Sequence, residues 1–133
     1  MATRHQVRET IITILYAKDV GNDKIEQYMD EMFENKKIRN KQREFAHSLY
    51  NGIKTNLNTI DNEINKYLKE WKLESIGTIE RAILRLGTYE LMHSELDSAV
   101  VINEAIELAK NLASDSSPKF INGVLDTMRK SLD

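Results

Sequence analysis

One proline and five glycines in 133 residues leave this chain almost nothing with which to interrupt a helix. Its apolar residues recur at spacings of three and four, and no stretch alternates with period two for long enough to make a half-buried strand. A chain with so few breakers and that periodicity is confined to an all-α fold. Its length suits one domain with a core large enough to need no disulfide or metal staple. No internal repeat, low-complexity tract or flexible linker divides it.

Seven helices are predicted. The first starts at Thr3, a capping hydroxyl, runs on Val7, Ile11, Ile14 and Leu15, and stops at Gly21, which can take a positive φ. Asp23 is placed to cap a second, with Ile25, Tyr28, Met29, Met32 and Phe33 facing inward. A third covers about Arg39 to Lys54 on Phe45, Leu49 and Ile53. Asn56 or Asn58 caps a fourth that carries Leu57, Ile60, Ile64, Tyr67 and Leu68. Trp71, Leu73 and Ile76 bury the connection that ends at Gly77. Thr78 suits the cap of a fifth helix on Ile79, Ala82, Ile83, Leu86 and Leu91. Asp97 and Ser98 introduce a sixth on Val101, Ala105, Leu108, Ala109 and Leu112. Ser117 followed by Pro118 reads as a cap followed by proline at the first helical position. The seventh helix then uses Phe120 or Ile121, Val124, Leu125 and Met128. Helices this short are marginal alone, so their stripes must pack together as bundles.

The residue inventory argues against an enzyme. There is no cysteine, which excludes a thiol nucleophile and any Cys-ligated metal. His5, His47 and His93 fall on three predicted segments without metal-ligand pairing. No glycine-rich loop cradles a phosphate chain, and no nucleophile elbow surrounds any serine. Glu104 and Glu107 share a helix face and read as solvated carboxylates. No catalytic residue, metal or cofactor is expected. The apolar runs are too short to span a bilayer, and Arg8, Glu9 and Lys18 interrupt any signal-peptide core. A cytoplasmic protein without membrane association is the expectation.

Charge points to binding. The net formal charge is −2, but its distribution is uneven. Before Asp19 the single acid Glu9 stands against Arg4, Arg8 and Lys18. A second basic run has Lys36, Lys37, Arg39, Lys41 and Arg43 against Glu34. A polyanion responds to such local fields and not to the sum; the alternative is that each run is a solvated helix face. Arg4 and Arg8 lie one turn apart, so both leave the same side of the first helix. At the start of the seventh helix, Ser116, Ser117 and Lys119 would surround free amides with hydroxyls and a cation. Phe120 beside them offers a face for an unpaired base, or else fills the first turn of the core.

Several segments together resemble the NusB transcription antitermination family. They are Ile102-Asn103-Glu104-Ala105-Ile106-Glu107-Leu108-Ala109-Lys110 and Lys119-Phe120-Ile121-Asn122-Gly123-Val124-Leu125-Asp126. Arg8-Glu9 through Leu15-Tyr16 and Arg81-Ala82-Ile83-Leu84-Arg85 through Tyr89-Glu90-Leu91 agree in order and spacing. The resemblance implies about seven helices in two packed bundles, a three-helix subdomain over about residues 1–56 and a second over about 57–133. It implies a non-catalytic adaptor that binds boxA-type single-stranded leader RNA with NusE, the tenth protein of the small ribosomal subunit. That complex modifies RNA polymerase and supports ribosomal RNA transcription; the chain itself would be a monomer or a weak homodimer. Arg4, His5, Arg8, Ser116, Lys119 and Phe120 become the expected RNA contacts. Tyr16, Glu74 and Glu80 become the expected NusE-facing residues, the acids suiting a basic partner. The family's start is often denser in arginine, and His5 and Gln6 stand here where further cations are common. Two alternatives remain: a helical unit that assists ribosomal RNA methylation, disfavoured because the chain ends soon after the seventh helix, and a purely protein-binding module.

Overall fold

Thr3 and Gln6 close a reciprocal cap at the start of the molecule. The Thr3 hydroxyl accepts the Gln6 backbone N–H at 3.1 Å, and the Gln6 side chain accepts the Thr3 N–H at 2.8 Å. Two otherwise orphaned donors are thereby satisfied. The computed structural model describes residues 2–69 and 72–132. Among them run seven α-helices and no strand.

Helix α1 (Arg4–Asp19) ends where Gly21 adopts φ +105°. A short 3-10 turn, Ile25–Tyr28, then leads straight into α2 (Met29–Asn35). Sequence reasoning expected one helix here, capped by Asp23. Instead Asp23 sits in the preceding turn, its N–H bonded to the Gly21 carbonyl. The tighter turn also rotates Tyr28 off the buried face, leaving it 51% exposed, while Met29 and Phe33 stay in the core. Three residues per turn in the 3-10 segment and 3.6 in the helix cannot keep one stripe in line.

Helix α3 (Lys41–Thr55) and α4 (Leu57–Asn65) are separated by Asn56 alone. Asn56 stands at the expected cap position, but its side-chain amide turns back to the Gly52 carbonyl at 2.7 Å. It therefore closes the end of α3 and leaves the α4 amides alone. The predicted role of Trp71 falls outside the described residues; its neighbour Leu73 is buried in a second 3-10 turn, Leu73–Ser75.

Helix α5 (Thr78–His93) is capped by Gly77, so Thr78 is its first helical residue and not its cap. Helix α6 (Ser98–Leu112) begins after Asp97 as expected, and α7 (Ser117–Leu132) takes Ser117 into its first turn. Pro118 still falls where its missing N–H has no helical partner to lose. The Ser117 hydroxyl does not cap: it donates to Glu80 and lies 2.9 Å from the Ser114 hydroxyl.

Helix α5 is the axis of the fold, packing on α1, α3, α4, α6 and α7. That explains why it is buried on nearly all sides, including Ala82, Ile83, Leu84, Leu86 and Gly87. Gly87 permits the close pass of α7: a Cβ there would lie 2.9 Å from Leu125 Cδ1. Ile121, Val124, Leu125 and Met128 of α7 complete the core as their spacing predicts.

Candidate nucleic-acid interface

At the amino end of α1 two arginines of the same helical side meet the same ring. The Arg4 guanidinium stands 4.0 Å from the centre of Phe45, and that of Arg8 stands 5.3 Å away. Arg4 remains exposed. Arg8 is only 5% exposed, and its Nε and Nη2 donate to the two Glu90 carboxylate oxygens at 2.7 and 2.8 Å. A buried guanidinium must be matched in this fork-to-fork way, because an uncompensated charge in the core is strongly destabilising. The expectation that both arginines face a phosphate is thus corrected for Arg8, which joins α1 to α5. His5 is likewise engaged, with Nδ1 2.5 Å from Glu104 and Nε2 2.9 Å from the Asn111 amide. It ties α1 to α6.

Beside Arg4 lies an open cleft of about 640 Å³ lined by Lys37, Arg39, Asn40, Lys41 and Gln42. Its shape comes from how α2 ends. The Ile38 N–H reaches the Phe33 carbonyl at 2.8 Å and the Lys37 N–H reaches Glu34 at 3.0 Å, a Schellman closure. The position that favours glycine in this motif is held by Lys37, at φ 58°. Ile38 and Phe33, both fully buried, pin the loop to the core and turn the flanking Lys37 and Arg39 outward. Glu34 accepts Arg39 at 2.7 Å and Arg43 at 3.2 Å. The Arg39 bond, and then its charge, hold the Glu34 carboxyl below the usual range.

The start of α7 forms a second groove, about 550 Å³, where Lys66, Tyr67, Lys69, Lys119 and Phe120 meet. Lys119 is exposed, and Phe120 is half-buried against the core with the rest of its ring lining the groove. The ring is thus shared between the core and the groove. Ser116 is exposed and Ser117 is buried. Lys66, Tyr67 and Lys69 escaped sequence reasoning because Tyr67 fell on the apolar stripe. An aromatic residue flanked by two lysines was the available signal. The Lys66 ammonium is pushed above its ordinary value by its hydrogen bond to Glu63, at 2.8 Å.

The three residues expected to face a protein partner gather at the other end of α1. Asp19 accepts Arg81 Nε at 2.6 Å, and Arg81 Nη1 donates to the Leu73 carbonyl at 3.3 Å. Tyr16, 39% exposed, is one turn before Asp19. Glu74, exposed, follows Leu73, and Glu80, half-buried, precedes Arg81. Glu80 also accepts the Ser117 hydroxyl, which joins this end to the start of α7.

Among the described residues no group of His, Asp and Glu is arranged to hold a metal ion. Among the described residues, no helix is long and apolar enough to cross a membrane.

The model of the NusB family matches residues 5–130. The transcription antitermination protein NusB of Campylobacter hominis is 58% identical over 130 residues, 98% of each chain. That of Nitratiruptor sp. is 58% identical over 132 residues, 99% of this chain and 95% of its own. Among solved structures, T. maritima NusB superposes with a TM-score of 0.90 at 35% identity, covering 97% of this chain and 92% of that one. A NusB chain crystallised with NusE and double-stranded RNA gives 0.85 at 30% identity, over 96% of both.

Proposed function

This chain belongs to the NusB family, and on that basis we propose how its surface serves a non-catalytic, RNA-binding role in transcription antitermination. The RNA is a boxA-type single strand from a ribosomal leader, bound jointly with NusE in the cytoplasm, and the assembly acts on RNA polymerase. The relative solved with NusE and RNA supports that pairing of partners.

The observation that carries the reading is the α7 groove, where Phe120 and Tyr67 lie among Lys66, Lys69 and Lys119. Rings supply stacking faces for unpaired bases while the ammonium groups take the adjoining phosphates. Arg4, held against Phe45, supplies a second phosphate contact, and Ser116 a hydroxyl. His5 and Arg8 act behind this surface by holding α1 on α6 and α5. Tyr16, Glu74 and Glu80 form the NusE-facing end, whose acids suit a basic ribosomal protein. We also divide the chain at about residue 56, where Asn56 alone joins α3 to α4.

Anisotropy titration of a boxA-like strand and a scrambled strand, with and without NusE, tests this. Phe120→Ala is expected to weaken boxA binding about tenfold, since stacking on an aromatic ring contributes about 1–3 kcal/mol per base. Because the ring is only half-buried, stability falls by less than the roughly 3–5 kcal/mol of a fully buried phenylalanine. Unchanged affinity of the folded variant would contradict the reading.

A further inference from the structure

We propose that the cleft between Arg4 and the α2–α3 loop is a phosphate subsite that carries single-stranded RNA beyond the contacts at Phe120 and Arg4. The proposal rests on the RNA-binding reading above and deepens it. Four cations, Arg4, Lys37, Arg39 and Lys41, line one cleft. Among the described residues Lys37 and Lys41 pair with no carboxylate, and Arg4 has only the Phe45 ring. Glu34, the acid that pairs with Arg39, is already shared with Arg43. The cleft therefore keeps an unneutralised positive field, as an anion site requires.

The cations are also held in place. Ile38 is locked in the core, so Lys37 and Arg39 on either side of it cannot turn inward. Arg4 lies against an aromatic ring that limits its swing. Asn40 stands at the head of α3 and its side-chain oxygen accepts no cap bond; its amide NH2 is a separate donor that can face an anion. None of the exposed large apolar residues, Tyr16, Val20, Tyr28, Leu96, Val100 and Leu132, lines the cleft. A lipid surface would need such residues beside the cations, so a phosphodiester strand is the better match. Arg4 belongs to both the cleft and the RNA surface already described, so a strand held there runs on into the loop.

The test compares the full chain and Lys37→Gly/Lys41→Gln, both with NusE present. The probes are a short boxA-like RNA and the same RNA lengthened at both ends with uridines, titrated over a range of salt. Glycine suits the left-handed position at 37, so the variant keeps or slightly raises its unfolding midpoint. The wild-type chain is expected to bind the longer RNA with the steeper salt dependence. The variant should lose about 1.4 of that slope, about 0.7 for each of two phosphate contacts, while binding the short RNA normally. An undiminished slope on the longer RNA, in a background where Phe120→Ala still weakens binding, overturns the cleft and leaves the function standing. A wild-type chain that binds neither RNA overturns both. Equal weakening of RNA and polyglutamate by the double substitution shows a general polyanion patch and overturns the assignment to RNA.

Discussion

The two ends of α1 carry similar cations and use them oppositely. At the carboxyl end the arginines contributed by α5 are engaged. Arg81 reaches Asp19 at 2.6 Å, and Arg85 grips Asp61 through two bonds of 2.9 Å with Asp19 at 3.4 Å. Burial alone would lower the affinity of the Arg85 guanidinium for its proton, but Asp61 and Asp19 more than reverse this and raise it. At the amino end Arg4, Lys37 and Lys41 have no carboxylate, among the described residues, to neutralise them. Sequence charge is alike in both places; what differs is whether the fold brings an acid to meet it. Paired charge builds the scaffold, and the unpaired charge is what we propose meets the RNA.

Arg8 crosses that division. It belongs to the cationic end by position and to the scaffold by contact. Removing its partner with Glu90→Ala is expected to cost about 3–5 kcal/mol, since a buried guanidinium would be stranded. Chemical denaturation measures it. Replacing the pair together, as Arg8→Met/Glu90→Leu, should recover most of that loss because no charge remains to be desolvated. A Glu90→Ala protein of near wild-type stability would place Arg8 with the ligand-binding cations after all.

A smaller effect distinguishes the paired end by pH. Glu26 accepts Lys54 at 2.8 Å, Tyr50 at 2.7 Å and Lys18 at 3.3 Å. The Lys54 bond first, then that of Tyr50, draw its carboxyl down to about 2 from 4.5. The Tyr50 hydroxyl is in turn pushed up by burial and by its bond to Glu26. Because the folded value lies below the unfolded one, this contribution is complete above about pH 4.5 and fades as pH falls toward 2. Solvent screening keeps it to the order of 1 kcal/mol. Glu26→Gln should flatten that part of the stability profile, and an unchanged profile would remove the carboxylate from the network.

The sequence made the helices legible and the charges much less so. Seven apolar stripes correspond to seven helices because periodicity is a local property that packing preserves. The Thr3 cap was readable for the same reason, its partner being three residues away. The errors lie where a local signal competed with another contact, near or distant. Asp23 lost its cap to a 3-10 turn, and Ser117 turned to Glu80, 37 residues earlier. Arg4 and Arg8 are indistinguishable by spacing; the carboxylate that separates them is 82 residues on. The α7 groove was half visible through Lys119 and Phe120, while its other wall at Lys66, Tyr67 and Lys69 depends on how the segment after α4 comes to lie beside α7. The basic α2–α3 run was visible as charge, but its junction with Arg4 exists only in the fold.

The most direct measurement is the salt dependence of RNA binding for Arg4→Ala beside Arg8→Met/Glu90→Leu, each paired with its thermal unfolding midpoint. Arg4→Ala should make the slope shallower by about 0.7, one phosphate contact on a single strand, with the midpoint unmoved. Arg8→Met/Glu90→Leu should keep the wild-type slope. An Arg4→Ala chain with the wild-type slope, or an Arg8→Met/Glu90→Leu chain that loses as much slope as Arg4→Ala was expected to, would contradict the division between scaffold charge and ligand charge.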